Sequence, residues 1–252
     1  WRIYDDTMSS PGLRNVIEVL VDRDPVTMDL VPMLATSWEQ IDDLTWRFTI
    51  RDGVQFHDGS SVTAEDVAHS INETWAESNA WTTRAFMSSQ ITAEVAGDLL
   101  VDVKTEEKDP IVPSRMYFQG VWSEAQFTQD RATWNVSPIG TGPYTIADDD
   151  PLVLNLEINP DWWGDQAALE FDTAQFVYRP EDAVRLGAVQ TGEAHLGTWV
   201  SADSCRAATD IEGIDCRSAP SVETMFMKMD LRYGTDAGTV MADKREIGRA
   251  HV

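Results

Sequence analysis

Period-two alternation is the feature that most constrains this chain. In TWRFTIRDGVQFHDGSSVTAEDV, residues 45–67, Trp46, Phe48 and Ile50 share one face of an extended segment, while Arg47, Thr49 and Arg51 share the other. Val54 and Phe56 resume the pattern after a break. A two-residue loop at Asp52-Gly53 would set Ile50 against Gln55 and mismatch the faces. A three-residue loop, Arg51 to Gly53, sets Ile50 against Val54 and Phe48 against Phe56, with Gly53 supplying the left-handed backbone that its third position requires. The expected unit is a hairpin, with His57 beside Gln55 on the polar face and a further turn at Asp58-Gly59. A lone polar-face histidine does not make a catalytic corner, so His57-Asp58 is read as part of a turn.

Thr63 follows as a helix N-cap with Asp66 three residues on, and Val67, Ile71 and Trp75 form one apolar stripe. QITAEVAGDLLVDVK, residues 90–104, reads as two short strands around Gly97-Asp98, continuing a sheet of local hairpins. Residues 110–137, with Pro110, Pro113 and several aromatics, read as irregular structure around short helices. In SPIGTGPYTIADDDPLVLNLEINPDWWGD, Gly140, Gly142 and Pro143 bend the chain into a strand at 144–147, and Leu152, Leu154, Leu156 and Ile158 alternate. The GTG lacks the lysine and hydroxyl ending of a phosphate loop, and no long helix follows it. Trp162 and Trp163 would cover the sheet or stack on a ligand; packing is the commoner use of so large an apolar surface.

Beyond residue 173 the pattern becomes strand, helix, strand. The expectation is a strand at 174–178, a helix opened by Pro180 with Glu181 and Asp182 in its first turn and closed by Gly192, and a strand at 195–200. A short helix at 202–209 and strands at 214–217 and 223–230 complete the series. This alternation predicts a parallel or mixed sheet covered by helices.

Composition narrows the partners. At 252 residues and 42% hydrophobic, the chain can bury a substantial core, while a net charge of -24 repels nucleic-acid backbones and anionic membranes. Its 4 Lys against 15 Arg, and 27 Asp against 16 Glu, fit either a salty medium or an acidic secretome from a GC-rich genome. No run approaches the roughly 18 to 20 apolar residues that cross a bilayer, and WRIYDDTMSS is not a signal peptide. Cys205 and Cys216 lack the spacing and histidine neighbours of a metal site. They read as a disulfide tying a short helix to the next strand, or as two buried thiols. The ending IGRAHV follows ADKRE without helix-stop logic and reads as a non-native tail, and the start is equally abrupt.

Several stretches together resemble family 5 of the extracellular solute-binding proteins, the dipeptide, oligopeptide and nickel-binding components of ABC importers. They are LVPMLATSWEQIDDLTWRFTIRDGVQFHDGSSVTAEDVAHSI (residues 30–71), PIGTGPYTI (138–146), NPDWWGD and EDAVRLGAVQTGEAHLG (181–197), in the family's order. The resemblance implies an α/β fold of mixed α+β character, a lobe like those of type II periplasmic binding proteins, with a hairpin-rich subdomain and an incomplete two-lobe architecture. On that reading residues 1–36 are part of the lobe I core without its opening strand, and 37–137 are the hairpin-rich subdomain. Residues 138–230 are the α/β core, 231–246 the crossover toward lobe II, and 247–252 the tail. The implied function is capture of a small peptide or similar solute between two hinged lobes and delivery to the transmembrane subunits of an ABC permease, without chemistry and without a cofactor or metal. The implied ligand contacts are Tyr4, Asp5, Trp81, Phe86, Thr198, Trp199, Ser201, Thr224 and Phe226. Among them Asp5 would meet a cationic group, and Trp81, Phe86 and Trp199 would form apolar walls. His195 departs from the family, which often carries an acid there. A monomer outside the cytoplasm, periplasmic or extracellular, with or without a lipid anchor, is expected.

Three other readings compete. An oligosaccharide ligand would suit the 10 Trp of the chain, and a glycan-active hydrolase would need two carboxyls about 5 to 10 Å apart across the bond. No pair of acids in the sequence stands out for that role. A pure interaction module would require a large exposed apolar patch.

Overall fold

The computed structural model describes residues 10–76, 90–148, 150, 153–209 and 211–217. The chain divides into two compact units, Trp1–Tyr178 and Arg179–Val252.

The first unit opens with α1 (Ser10–Leu13), β1 (Val21–Arg23), β2 (Leu30–Pro32), β3 (Ala35–Asp42), β4 (Thr45–Ile50) and α2 (Ala64–Trp75). After it come β5 (Ile91–Gly97), β6 (Leu100–Thr105), α3 (Val112–Arg115), α4 (Glu124–Gln129) and α5 (Arg131–Trp134). Three strands close the unit: β7 (Tyr144–Ile146), β8 (Val153–Ile158) and β9 (Thr173–Val177).

The alternating run becomes the centre of a four-stranded antiparallel sheet ordered β3-β4-β6-β5. Phe48 and Ile50 are buried and Trp46 packs against the same core. On the other face Arg47 grips Asp102 of the neighbouring strand with two parallel hydrogen bonds, Nε to Oδ1 at 2.7 Å and a second to Oδ2 at 2.8 Å. Facing this pair across adjacent strands locks the register that the apolar parity requires.

The expected hairpin does not form. Ile50 pairs with Ala35, and Phe48 with Trp38 on one side and Val101 on the other. Val54 instead accepts a hydrogen bond from the Val62 amide and Gln55 bridges to Ser61, so residues 54–62 make a small separate loop. Parity specifies which side chains face inward, not which strand supplies the neighbours. Full-length partners on both edges satisfy more backbone groups than the short run 54–56 can. The turn chemistry survives: Gly53 and Gly59 have φ of 77° and 82°.

Helix α2 begins as its cap dictates. The Thr63 hydroxyl accepts from the Asp66 amide at 3.2 Å, and the Asp66 carboxylate accepts from the Thr63 amide at 3.0 Å. Val67 and Ile71 are fully buried in the sheet core. Asn72 fastens the helix to the edge strand β5 by donating to the Ala93 carbonyl at 2.9 Å and accepting from its amide at 2.8 Å.

A second core gathers Leu13, Val16, Ile17, Trp122, Phe127, Trp134, Tyr144, Leu154 and Leu156. It is built on the antiparallel sheet β7-β8-β9, in which Leu154 faces Phe176 and Leu156 faces Ala174. Among the described residues every strand pairing is antiparallel, and β9, the first strand of the expected parallel or mixed sheet, joins β8 in the antiparallel sense.

The second unit holds α6 (Asp182–Gln190) and α7 (Ala202–Thr209). Gly192 terminates α6 with φ of 74°. The strands expected at 195–200 and 214–217 are absent: both segments are irregular. Leu196 and Trp199 are exposed, so residues 195–200 lack the covered face that would make alternation worth a ladder. Cys205 and Cys216 are joined in a disulfide with Cα atoms 5.7 Å apart, tying α7 to an irregular segment in place of a strand. The strand expected at 223–230 lies outside the described residues.

Candidate functional site

Of the expected ligand contacts, Tyr4, Asp5, Trp81, Phe86, Thr224 and Phe226 lie outside the described residues. Thr198, Trp199 and Ser201 fall on one loop between α6 and α7.

That loop presents Trp199 with 58% of its surface exposed and its backbone left-handed at φ 56°. For a residue with a Cβ this conformation costs about 1–2 kcal/mol, so other contacts must hold it. Arg185 on α6 supplies one. One end of its guanidinium donates to the Trp199 carbonyl at 2.8 Å, and the other donates to the carbonyls of Arg179 and Pro180 at 2.7 Å each. Asp182 supplies another: its carboxylate accepts from the Ser201 hydroxyl at 2.6 Å, the Ser201 amide at 3.3 Å and the Ser204 hydroxyl. The Ser201 oxygen also accepts from the Ser204 amide at 3.1 Å and so caps α7. The Ser201 and Ser204 hydroxyls, with help from Arg185, hold the Asp182 carboxyl below its usual range. Thr198 is exposed on the same loop. The sequence expectation that Trp199 forms a wall and Ser201 a polar contact thus meets an exposed indole and a hydroxyl already engaged by Asp182.

The motifs PIGTGPYTI and NPDWWGD converge elsewhere, on a residue that sequence reading passed over. Glu18 is 2% exposed. Its carboxylate accepts from the indole of Trp162 at 3.0 Å, the indole of Trp163 at 2.7 Å and the hydroxyl of Thr141 at 2.8 Å. Burial pushes the Glu18 carboxyl above its ordinary range, opposed by these three donors and by the Arg51 charge. Arg51 lies 4.5 Å from the centroid of the Trp163 ring. No local pattern marks Glu18, because its partners are 123 to 145 residues away.

The glycines of GTG serve close packing. A Cβ on Gly140 would lie 2.0 Å from the Val16 carbonyl oxygen, and one on Gly142 2.3 Å from that of Asn15. His57 braces the same loop. Its Nε2 donates to the Gly142 carbonyl at 3.1 Å, its Nδ1 faces the Gly140 amide at 3.4 Å, and its own amide donates to Gly140 at 2.9 Å. His57 is therefore half-buried against residues 140–142 and not on an open polar face, and burial lowers its pKa. Among the described residues, no group of three His, Cys, Asp or Glu is arranged to hold a metal ion.

Comparison with solved structures assigns the fold to the type II periplasmic binding proteins. One such structure is the dipeptide-binding protein of Pseudoalteromonas sp. SM9913 in complex with Met-Leu. It superposes with a TM-score of 0.72 at 18% identity, over 83% of this chain and 46% of that one. Residues 29–245 match the model for bacterial extracellular solute-binding proteins, family 5 (Middle), and the chain belongs to that family. Protein XP55 of Streptomyces lividans is 28% identical over 72% of this chain and 34% of its own length. A probable di/tripeptide-binding protein of Pseudomonas aeruginosa is 25% identical over 85% of this chain and 45% of its own. The chain thus spans between a third and a half of the length of these curated relatives.

Proposed function

We propose that this chain forms most of one lobe of a solute-binding protein that captures a small peptide or similar solute and hands it to the membrane subunits of an ABC importer. The observation that carries this reading is the family match across residues 29–245. A relative named for di/tripeptide binding and a neighbour holding Met-Leu favour peptide as the ligand class. In the proposed division residues 1–36 and 138–230 form the core of the lobe, 37–137 its hairpin-rich subdomain and 231–246 a crossover.

The proposed mechanism is binding without covalent chemistry. Two lobes close by hinge motion, and a few polar groups and aromatic faces select the solute in the cleft between them. Tyr4, Asp5, Trp81, Phe86, Thr198, Trp199, Ser201, Thr224 and Phe226 are the proposed contacts. Trp199 has the local geometry for one: an exposed indole on a loop whose backbone is held in a costly conformation. The protein would work as a monomer on the outer face of the cytoplasmic membrane, free or lipid-anchored; no described helix is long and apolar enough to cross a membrane.

Isothermal titration of the longer protein against dipeptides, oligosaccharides and nickel-histidine complexes tests the reading. Peptide binding in the micromolar range or tighter, about -8 kcal/mol or better, with no turnover is the expected result. Sugar binding alone, or hydrolysis of any of these compounds, overturns it.

A further inference from the structure

The proposed contacts include Trp199, a bulky residue held at φ 56° on an exposed loop. Two charged side chains of α6 converge on it. Arg185 spans from the Arg179 and Pro180 carbonyls to the Trp199 carbonyl, so one rigid guanidinium fixes the start of α6 and the apex of the loop together. Asp182 gathers the amide and hydroxyl of Ser201 and the hydroxyl of Ser204, which fixes the point where the loop enters α7. Arg185 lies 3.4 Å from Asp182, closing the frame. The only residue between the two anchored positions, Trp199 and Ser201, is Val200.

We propose that Asp182 and Arg185 are positioning residues for Trp199: they hold its backbone so that the indole leaves the loop in one direction, and do not themselves touch the ligand. This rests on the reading of Trp199 as a ligand contact, and it deepens that reading by naming the device that preorganises the contact. A loop whose backbone is fixed before binding has little conformational freedom left to lose when a solute stacks on the indole it presents. The chemistry it suits is a flat or apolar group, such as the side chain of a peptide. A frame of this kind also separates the two partners' roles. Lysine at 185 would keep the charge but lose the fork, and threonine at 201 would keep the hydroxyl that Asp182 engages.

The test is fluorine NMR of the full 252-residue chain carrying 5-fluorotryptophan at its 10 tryptophans, with Trp199→Phe identifying one resonance. Asp182→Ala, Arg185→Lys and Ser201→Ala are each expected to move the Trp199 signal toward the free amino-acid position and narrow it. The other nine should stay in place, and Ser201→Thr should restore the native position. A Trp199 signal unmoved in Asp182→Ala and Arg185→Lys, or a Ser201→Thr variant that behaves like Ser201→Ala, overturns the proposal. Should Asp182→Ala disturb all the resonances, the Arg185→Lys and Ser201 pair decide it. A parallel titration of the longer protein separates this proposal from the functional one. If Trp199→Ala leaves solute affinity unchanged, the ligand reading of Trp199 fails while the NMR result still stands or falls alone. If Trp199→Ala weakens binding about tenfold, Arg185→Lys should weaken it severalfold in the same direction.

Discussion

Glu18, buried, and His57, half-buried, show how much two titratable groups can organise. Between them they hold the loop at 140–142, one through Thr141 and the other through the backbone of Gly140 and Gly142. Glu18→Gln places an amide N–H against converging donors and should cost about 1–3 kcal/mol in urea denaturation, the usual penalty for leaving a buried polar group unsatisfied. Gly142→Ala should cost about as much, through overpacking against the Asn15 carbonyl. The two groups respond to pH in opposite senses. Glu18 is raised above 4.5, so its protonation gives a stability contribution that is full below that value and lost as pH rises through the folded pKa. His57 is lowered below 6.5, so its contribution is full above 6.5 and lost as pH falls through the folded pKa. Urea midpoints measured from pH 7.5 down to pH 4 should therefore decline less in His57→Gln than in the native chain. In Glu18→Gln the acid-side gain should be missing. Both residues stand in unremarkable local sequence, and this explains why neither role was legible: His57 read as a turn neighbour, and Glu18 did not register at all.

At the scale of elements, local chemistry and long-range pairing divide cleanly. The cap of α2 was legible because all its atoms lie within four residues, Thr63 to Asp66. The same carboxylate reaches beyond that motif, accepting from the Glu124 amide at 3.0 Å and so joining the starts of α2 and α4. Thr63→Ala should then cost about 1 kcal/mol, and Asp66→Ala measurably more by thermal or urea unfolding, because it releases both helix ends. Equal losses would mean that the Glu124 contact contributes nothing. The hairpin register was not legible, since the inward parity of Trp46, Phe48 and Ile50 is equally compatible with a neighbour eight residues on or fifty. Asp102, opposite Arg47, and the edge-strand grip of Asn72 on Ala93 became visible only once β5 and β6 were placed. The same limit explains the strands expected at 195–200 and 214–217. Alternation is present in the residues, but among the described residues no strand hydrogen-bonds to them.

For the molecule as a whole, the two units carry different kinds of support. The first has two buried apolar cores, while most of the described residues of the second are exposed or half-buried, and a disulfide links Cys205 to Cys216. Reduction should therefore act locally. Closing a loop with a sequence separation of 11 contributes about 3 kcal/mol in the chain-entropy account. Hydrogen exchange after reduction should show protection lost across 202–217 and retained across β3 to β6. Loss of protection in both regions would count against independent stability. The amino-acid sequence by itself determined the inward parity of β4, the turn glycines, the α2 cap and the α7 helix, because each is encoded in contacts or patterns a few residues long, and it determined the family through motifs kept in order along the chain. The tertiary structure alone decided which strands pair, what Glu18 and His57 hold, and how the Trp199 loop is framed, because those contacts join residues whose separation along the chain no local rule can bridge.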